Sequence, residues 1–149
     1  MSLLVVVQPK ATGPIDPVRS ALMARVRGKD TRPELIVRKS AHALGFRFRL
    51  HRKDLPGRPD LVFPRLRKAI FVHGCFWHRH SGCSKASMPK TRVDFWRSKF
   101  DANVARDARS IAALRTMGWS VCVIWECETS DRRVIARKVR AFLRDRRAA

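Results

Sequence analysis

Between His73 and Cys83 the chain reads HGCFWHRHSGC, which puts three histidines, two cysteines, two glycines and a Phe-Trp pair into eleven positions. Cys75, His80 and Cys83 are spaced C-x4-H-x2-C, which is three-quarters of a tetrahedral zinc site. The fourth ligand has to come from elsewhere, and Cys127, at the end of a later strand-like run, is free to supply it. Three thiolates and one imidazole make a closed site, and closed sites are structural rather than catalytic. A loop this polar and aromatic has little else to hold it folded, which favours zinc over free thiols. His73 and His78 are then left over, and Phe76 and Trp77 stand where a hydrated loop would carry polar residues.

Asp60 is the second chemistry-bearing residue. A carboxylate is a hard oxygen donor suited to Mg²⁺, which takes one or two protein ligands and completes its shell with water and substrate phosphate. Beside a basic surface that binds DNA, such a site suggests phosphodiester hydrolysis, with an imidazole taking a proton from water. His78, fixed between two zinc-ligand positions, is the first candidate for that base. His73 is the second, or a partner that positions water or phosphate. On residue types alone either histidine serves equally well as a phosphate contact or as loop packing, and Asp60 as a turn residue after Pro59.

The composition agrees with a polyanionic substrate. Lys and Arg number 33 against 12 Asp and Glu, a formal charge of +21, with a pI near 11.6. Neutralising phosphates with so many cations releases counterions, so affinity for DNA is expected to fall steeply with salt. Four unevenly placed cysteines do not make a secreted disulfide framework, and a reducing compartment fits better. The short apolar run Leu3 to Val7 has neither the length of a membrane span nor the flanks of a signal peptide. The expectation is a cytoplasmic, nucleoid-associated protein with no membrane partner. At 149 residues the chain suits one domain, 16–149, behind a flexible lead-in at 1–15.

The elements that must position these residues follow from periodicity and caps. Asp16-Pro17 opens a short helix over 17–26, with Gly28 stopping it. Thr31-x-x-Glu34 is a capping-box pattern before a second helix that runs to Leu44. Phe46, Phe48 and Leu50 alternate with Arg47, Arg49 and His51, as in a half-buried strand. Apolar strands at about 60–63 and 68–72 form a hairpin, which brings Asp60 next to Val72 and His73 although twelve residues separate Asp60 from Val72. Thr91-x-x-Asp94 again reads as a cap, opening the longest helix, with Trp96, Phe100, Val104, Ile111 and Leu114 on its apolar stripe and Arg92, Arg97, Lys99, Arg106 and Arg109 on its basic face. Trp119 to Trp125 is a strand whose Cys122 is a buried small hydrophobe. The region 129–149 carries a basic amphipathic helix over Asp131 to Arg146. This is an α/β arrangement, a mixed sheet flanked by helices.

Six stretches in order are specific enough to place the chain beside a known family. They are Met23 with Lys29-Asp30-Thr31 and Glu34; Leu55-Pro-Gly-Arg-Pro-Asp60; Ile70-Phe-Val-His-Gly-Cys-Phe-Trp-His78; Arg92-x-x-Phe-Trp; Asn103-Val-x-Arg-Asp107; and Gly118-Trp through Trp125-Glu-Cys127. Together they resemble the very short patch repair (Vsr) DNA mismatch endonucleases over about residues 17–128. The resemblance implies a restriction-endonuclease-like core and Mg²⁺-dependent nicking of one strand at a T:G mismatch left by 5-methylcytosine deamination. It matches Asp60 to the metal-binding aspartate, His78 to the general base, and Glu34 to a carboxylate near the attacked phosphate. His73 and Asp107 match further polar residues of the site, and Cys75, His80, Cys83 and Cys127 match the structural zinc ligands. Met23, Phe76 and Trp77 match side chains that wedge into the base stack, where unstacking costs least at a mismatch.

Three features depart from the family or from its wider class. Val72 stands where the family often has Thr, so a metal contact there would come from the backbone carbonyl and no hydroxyl is available. Ser81-Gly82 places one more residue before Cys83 than some relatives have. The Glu-x-Lys pair usual in restriction-type nucleases is absent from 68–72, so His78 would take over the lysine's chemistry. The implied partner is mismatched duplex DNA bound by a monomer, with mismatch-repair proteins as candidate further partners. The competing readings are a non-catalytic zinc-stabilised DNA-binding protein and a nuclease acting on paired or foreign DNA.

Overall fold

Alternation within the central strands sends neighbouring side chains to opposite faces of one sheet, and the helices divide accordingly. The computed structural model describes Val18 and residues 29–146. The helix expected at 17–26, with Met23, lies outside the described residues apart from Val18. The described chain runs α1 (Arg32–Ala43), β1 (Arg49–Leu50), β2 (Leu61–Phe63), β3 (Lys68–His73), α2 (Val93–Thr116), β4 (Ser120–Trp125) and α3 (Arg132–Arg144). The sheet order is β1-β2-β3-β4. β1, β2 and β3 pair antiparallel, and β4 lies parallel to β3 after the α2 crossover. The sheet is therefore mixed, as expected.

Leu61, Phe63, Ile70 and Ile124 face Val37 and Ala41 of α1 and Ile135, Val139 and Leu143 of α3. Val62, Ala69 and Phe71 pack on the other side with Leu114 and Trp119. Cys122 packs against the first cluster and Val121 and Val123 against the second, so Cys122 is a small hydrophobe as expected, but half-buried rather than buried.

Several local expectations hold and others change. Thr31 caps α1, its hydroxyl accepting from the Glu34 N–H at 3.4 Å. The hairpin is present, and Asp60 Oδ2 accepts from the Val72 N–H at 2.6 Å. The expected strand over Phe46 to His51 shrinks to two residues, because β2 offers β1 only Leu61 and Val62 as partners. Phe46 and Phe48 instead pack edge-on against Phe63. Thr91 does not cap α2. The helix begins after Arg92, which is left-handed (φ 54) and lays its guanidinium over Phe95. Val104 is 45% exposed, which removes it from the apolar stripe, whereas Phe100 and Leu114 are buried.

The buried Lys68 reaches the end of α3, donating to the carbonyls of Phe142 (2.6 Å), Leu143 (3.4 Å) and Asp145. A cation there satisfies carbonyls that a helix terminus leaves free and complements its dipole. Lys68→Met keeps the stem and removes the donors. It should lower the unfolding free energy by roughly 2 kcal/mol, measured by urea denaturation.

Candidate active site and metal cluster

Parallel pairing aligns His73 with Trp125 at the ends of β3 and β4, so the loop leaving β3 and the 3-10 turn Glu126–Ser130 leaving β4 start side by side. Cys75 and Cys127 thereby meet across the gap. The ligand atoms of Cys75, His80, Cys83 and Cys127 all lie within 4.8 Å of one another. His80 Nδ1 is 3.7 Å from Cys75 Sγ and 3.4 Å from Cys127 Sγ. A tetrahedral ion with ordinary Zn–S and Zn–N bonds puts such atoms about 3.6 Å apart, so the donor set fits a four-coordinate ion. Burial pushes the Cys75 thiol up to about 12, so a thiolate there needs a cation beside it.

The loop has a second hold that the sequence did not suggest. Arg79, left-handed at φ 56, donates to the carbonyls of Phe76 and Ser87 (3.2 Å each) and Ala86 (2.6 Å). Its guanidinium lies 4.0 Å over Phe100. Phe76 packs edge-on against Trp77, Trp96 and Phe100. The Trp77 carbonyl accepts from the Asn103 side chain at 3.2 Å, and Lys99 lies over the indole.

A cavity of about 1190 Å³ opens beside this loop, and Glu34, His51, Asp60, His73, His78 and Asp107 are among the residues that line it. His78 Nδ1 is 2.5 Å from Asp107 Oδ2. A carboxylate accepts, so the proton sits on Nδ1 and Nε2 keeps its lone pair. The buried His73 ring stacks on His78 at 3.9 Å and 5°, and burial together with His78 lowers its pKa to about 4. His73 is therefore a neutral platform at ordinary pH. Trp125 meets His73 edge-on at 5.4 Å and stacks on His80 at 4.3 Å. The rings of His80, Trp125, His73 and His78 thus run in sequence from the cysteine cluster to Asp107.

Asp60 stands across the cavity. Burial, with a contribution from Glu34, raises its carboxyl to about 6 against the lowering effect of the Val72 N–H. Gly57 seats the loop before it. This residue is left-handed (φ 72), and a Cβ there would lie 2.6 Å from Ser110 Cβ on α2. Glu34 is buried, and it does not close the capping box expected with Thr31, because its carboxylate bonds the Asp30 N–H one residue before the cap. Its Oε2 accepts from the Asp30 N–H (2.9 Å) and Arg38 Nη2 (3.0 Å) and lies 3.2 Å from His51 Nε2.

The structure thus brings Glu34, Asp60, His73, His78 and Asp107 to one cavity and gathers Cys75, His80, Cys83 and Cys127 beside it. Met23 lies outside the described residues. His51, Arg38 and Trp125 join the site without having been singled out. In the sequence His51 is only an outward position of a strand, and its neighbours in the site are 9 and 17 positions away.

The family model described as DNA mismatch endonuclease Vsr matches residues 15–85. The type II nicking enzyme V.XorIIP of Xanthomonas oryzae pv. oryzae is 54% identical over 125 residues, 84% of this chain and 91% of that protein. The chain belongs to the Vsr endonuclease family. The type II nicking enzyme V.NmeAIP of Neisseria meningitidis is 37% identical over 127 residues, 85% of this chain and 90% of that protein. The DNA mismatch endonuclease Vsr of Escherichia coli is 41% identical over 114 residues, 76% and 72% of the two chains. As a Vsr-family member the chain is a DNA endonuclease, which accounts for its high positive charge. No helix among the described residues is long and apolar enough to cross a membrane.

The raised Asp60 carboxyl has a measurable consequence. Native Asp60 holds its proton up to about pH 6, whereas unfolded Asp loses it near pH 4. Its ionisation therefore costs stability that grows as pH rises from about 4 to about 6 and stays constant above that. His73 acts in the opposite sense between about 4 and roughly 6.5, so only a variant isolates Asp60. In chelator, Asp60→Asn should melt above the wild type at pH 8, and the gap should close as pH falls to about 4.5. A constant gap across a pH series of melting curves would count against the buried carboxyl.

Proposed function

We propose that this endonuclease nicks one strand of duplex DNA at a T:G mismatch produced by 5-methylcytosine deamination, with Mg²⁺ at Asp60 and zinc in the cysteine cluster. The observation that carries the reading is the pairing, across one cavity, of a carboxylate with an available oxygen and an imidazole whose free nitrogen is fixed by Asp107. The fold this implies is a restriction-endonuclease-like core, consistent with the mixed sheet and its helices on both faces. Membership in a family whose relatives include a named mismatch endonuclease supports the substrate.

Asp60 fits Mg²⁺ by its donor chemistry. Oδ2 is taken by the Val72 N–H, which leaves Oδ1 as the hard donor, and the Val72 carbonyl would add a second. When bound, the ion would stabilise charge on the attacked phosphate and the leaving oxygen. His78 Nε2 takes the proton from the attacking water, and the Asp107 carboxylate stabilises the imidazolium that forms. His73 keeps the His78 ring in plane by stacking, and Glu34 helps orient the phosphate or its water. Phe76 and Trp77 line the same cavity and would insert beside the mismatch, as would Met23. Zinc on Cys75, His80, Cys83 and Cys127 would fix the loop that carries all three of Phe76, Trp77 and His78. The enzyme would act as a cytoplasmic monomer, with mismatch-repair proteins as partners that follow the nick.

Labelled T:G and fully paired duplexes incubated with Mg²⁺, with EDTA and with Asp60→Ala test this reading. Nicking confined to the mismatch, to Mg²⁺ and to the intact Asp60 is expected, with His78→Ala slower by about 10²- to 10⁴-fold. Tight binding without cleavage would favour a binding module, and equal cleavage of paired DNA a nuclease with another target. Trp77→Ala should weaken mismatch binding more than it lowers the melting temperature. The reverse order would make Trp77 a plug for the loop.

A further inference from the structure

His51 lies between the buried Glu34 carboxylate and the half-buried Asp60 carboxylate of the cavity and has no part in the chemistry just described. Its Nε2 is 3.2 Å from Glu34 Oε2 and 3.7 Å from Asp60 Oδ1. The first is a hydrogen bond and the second is too long to be one. We propose that His51 is a positioning residue of the nuclease site, whose ring N–H holds Glu34 in place and leaves Asp60 Oδ1 open to the divalent cation. This inference rests on the metal-dependent reading of Asp60.

Three observations support it. Glu34 Oε2 collects donors from Asp30, Arg38 and His51, while Oε1 has no partner among the described residues. The converging donors therefore fix the orientation of the carboxylate through Oε2. Second, Arg38 bonds both Glu34 and Asp30 (2.7 Å). Its guanidinium already supplies the positive charge for the Asp30–Glu34–His51 group, so this group is a buttress rather than a separate cation site.

Third, His51 is held in the left-handed region at φ 46, which is strained for a residue with a side chain. Its N–H extends the β1–β2 ladder to the Asp60 carbonyl at 3.4 Å. The backbone that turns at His51 is therefore tied directly to Asp60, and the strained conformation aims the ring at both carboxylates. Without a donor between them, Glu34 and Asp60 would repel each other across a buried site. Groups that support a metal ligand in this way typically contribute 10- to 100-fold to metal affinity or rate.

The test compares wild type, His51→Leu and His51→Gln, whose amide N–H can still reach Glu34. Single-turnover nicking of the T:G duplex, its KM, the Mg²⁺ midpoint and Mn²⁺ binding to DNA-free protein by electron paramagnetic resonance are read together, with melting curves as folding controls. His51→Leu should lower kcat by about 10- to 100-fold, with KM for duplex nearly unchanged, and should weaken Mn²⁺ binding by a similar factor. His51→Gln should recover most of both. Wild-type rate and Mn²⁺ affinity in His51→Leu would overturn the positioning role alone. If His51→Leu does not fold, His51→Gln decides: near wild-type values sustain the role, and losses as large as those expected for Leu overturn it. A wild type that binds no Mn²⁺ and nicks no duplex would overturn the underlying metal reading, and this inference with it.

Discussion

The loop that carries His78 leaves the sheet at the end of β3, and Cys75, His80 and Cys83 of that loop gather with Cys127 at the end of β4, where a bound zinc ion would fasten the two together. Nearly every functional position depends on that tie. Phe76, Trp77 and His78 lie between the cluster's first two members, so a metal held there would limit the freedom of all three side chains. Trp125 extends the constraint, since its ring contacts both His80 and His73, and His73 in turn stacks on His78. A shift in the cluster would therefore be felt at the imidazole through packed rings rather than through flexible chain. Arg79 adds a second anchor from inside the loop, with its three carbonyl contacts and its place over Phe100.

The sheet supplies the other half of the site. Alternation along β3 sends Lys68 and Ile70 toward α1 and α3, and Ala69, Phe71 and His73 toward α2, where Asp107 waits. The hairpin brings Asp60 to Val72, and the start of α1 brings Glu34. Three carboxyl groups, Glu34, Asp60 and Asp107, and three histidines, His51, His73 and His78, are thus concentrated at one end of the sheet in a protein of formal charge +21. The cationic surface draws in a phosphate backbone, while the acidic end provides the place where a divalent cation would be held.

Much of this was legible in the sequence because it rests on short-range or periodic rules. Cysteine and histidine spacing announced the cluster, and hairpin geometry placed Asp60 beside Val72. Thr31 was readable as a cap, because a side-chain oxygen three residues before an acidic residue has few alternatives. The same rule failed at Thr91, where Arg92 takes a left-handed conformation and gains a contact with Phe95. Helical spacing also overstated the buried stripe of α2, since Val104 falls where the helix faces solvent. His51 and Trp125 could not be found by pattern. Their roles come from tertiary neighbours, and nothing in the local sequence distinguishes an imidazole between two carboxylates from one at the end of a strand.

A zinc-filled cysteine cluster would be the fixture that makes the His78 loop competent, and the most direct test joins metal content to cleavage. Zinc would be quantified in purified wild type and in Cys127→Ser, and single-turnover nicking measured on the same samples. One zinc per wild-type chain is predicted, with zinc and nicking lost together in Cys127→Ser while far-ultraviolet circular dichroism keeps its α/β signature. A zinc-free chain that nicks at the full wild-type rate would contradict the account.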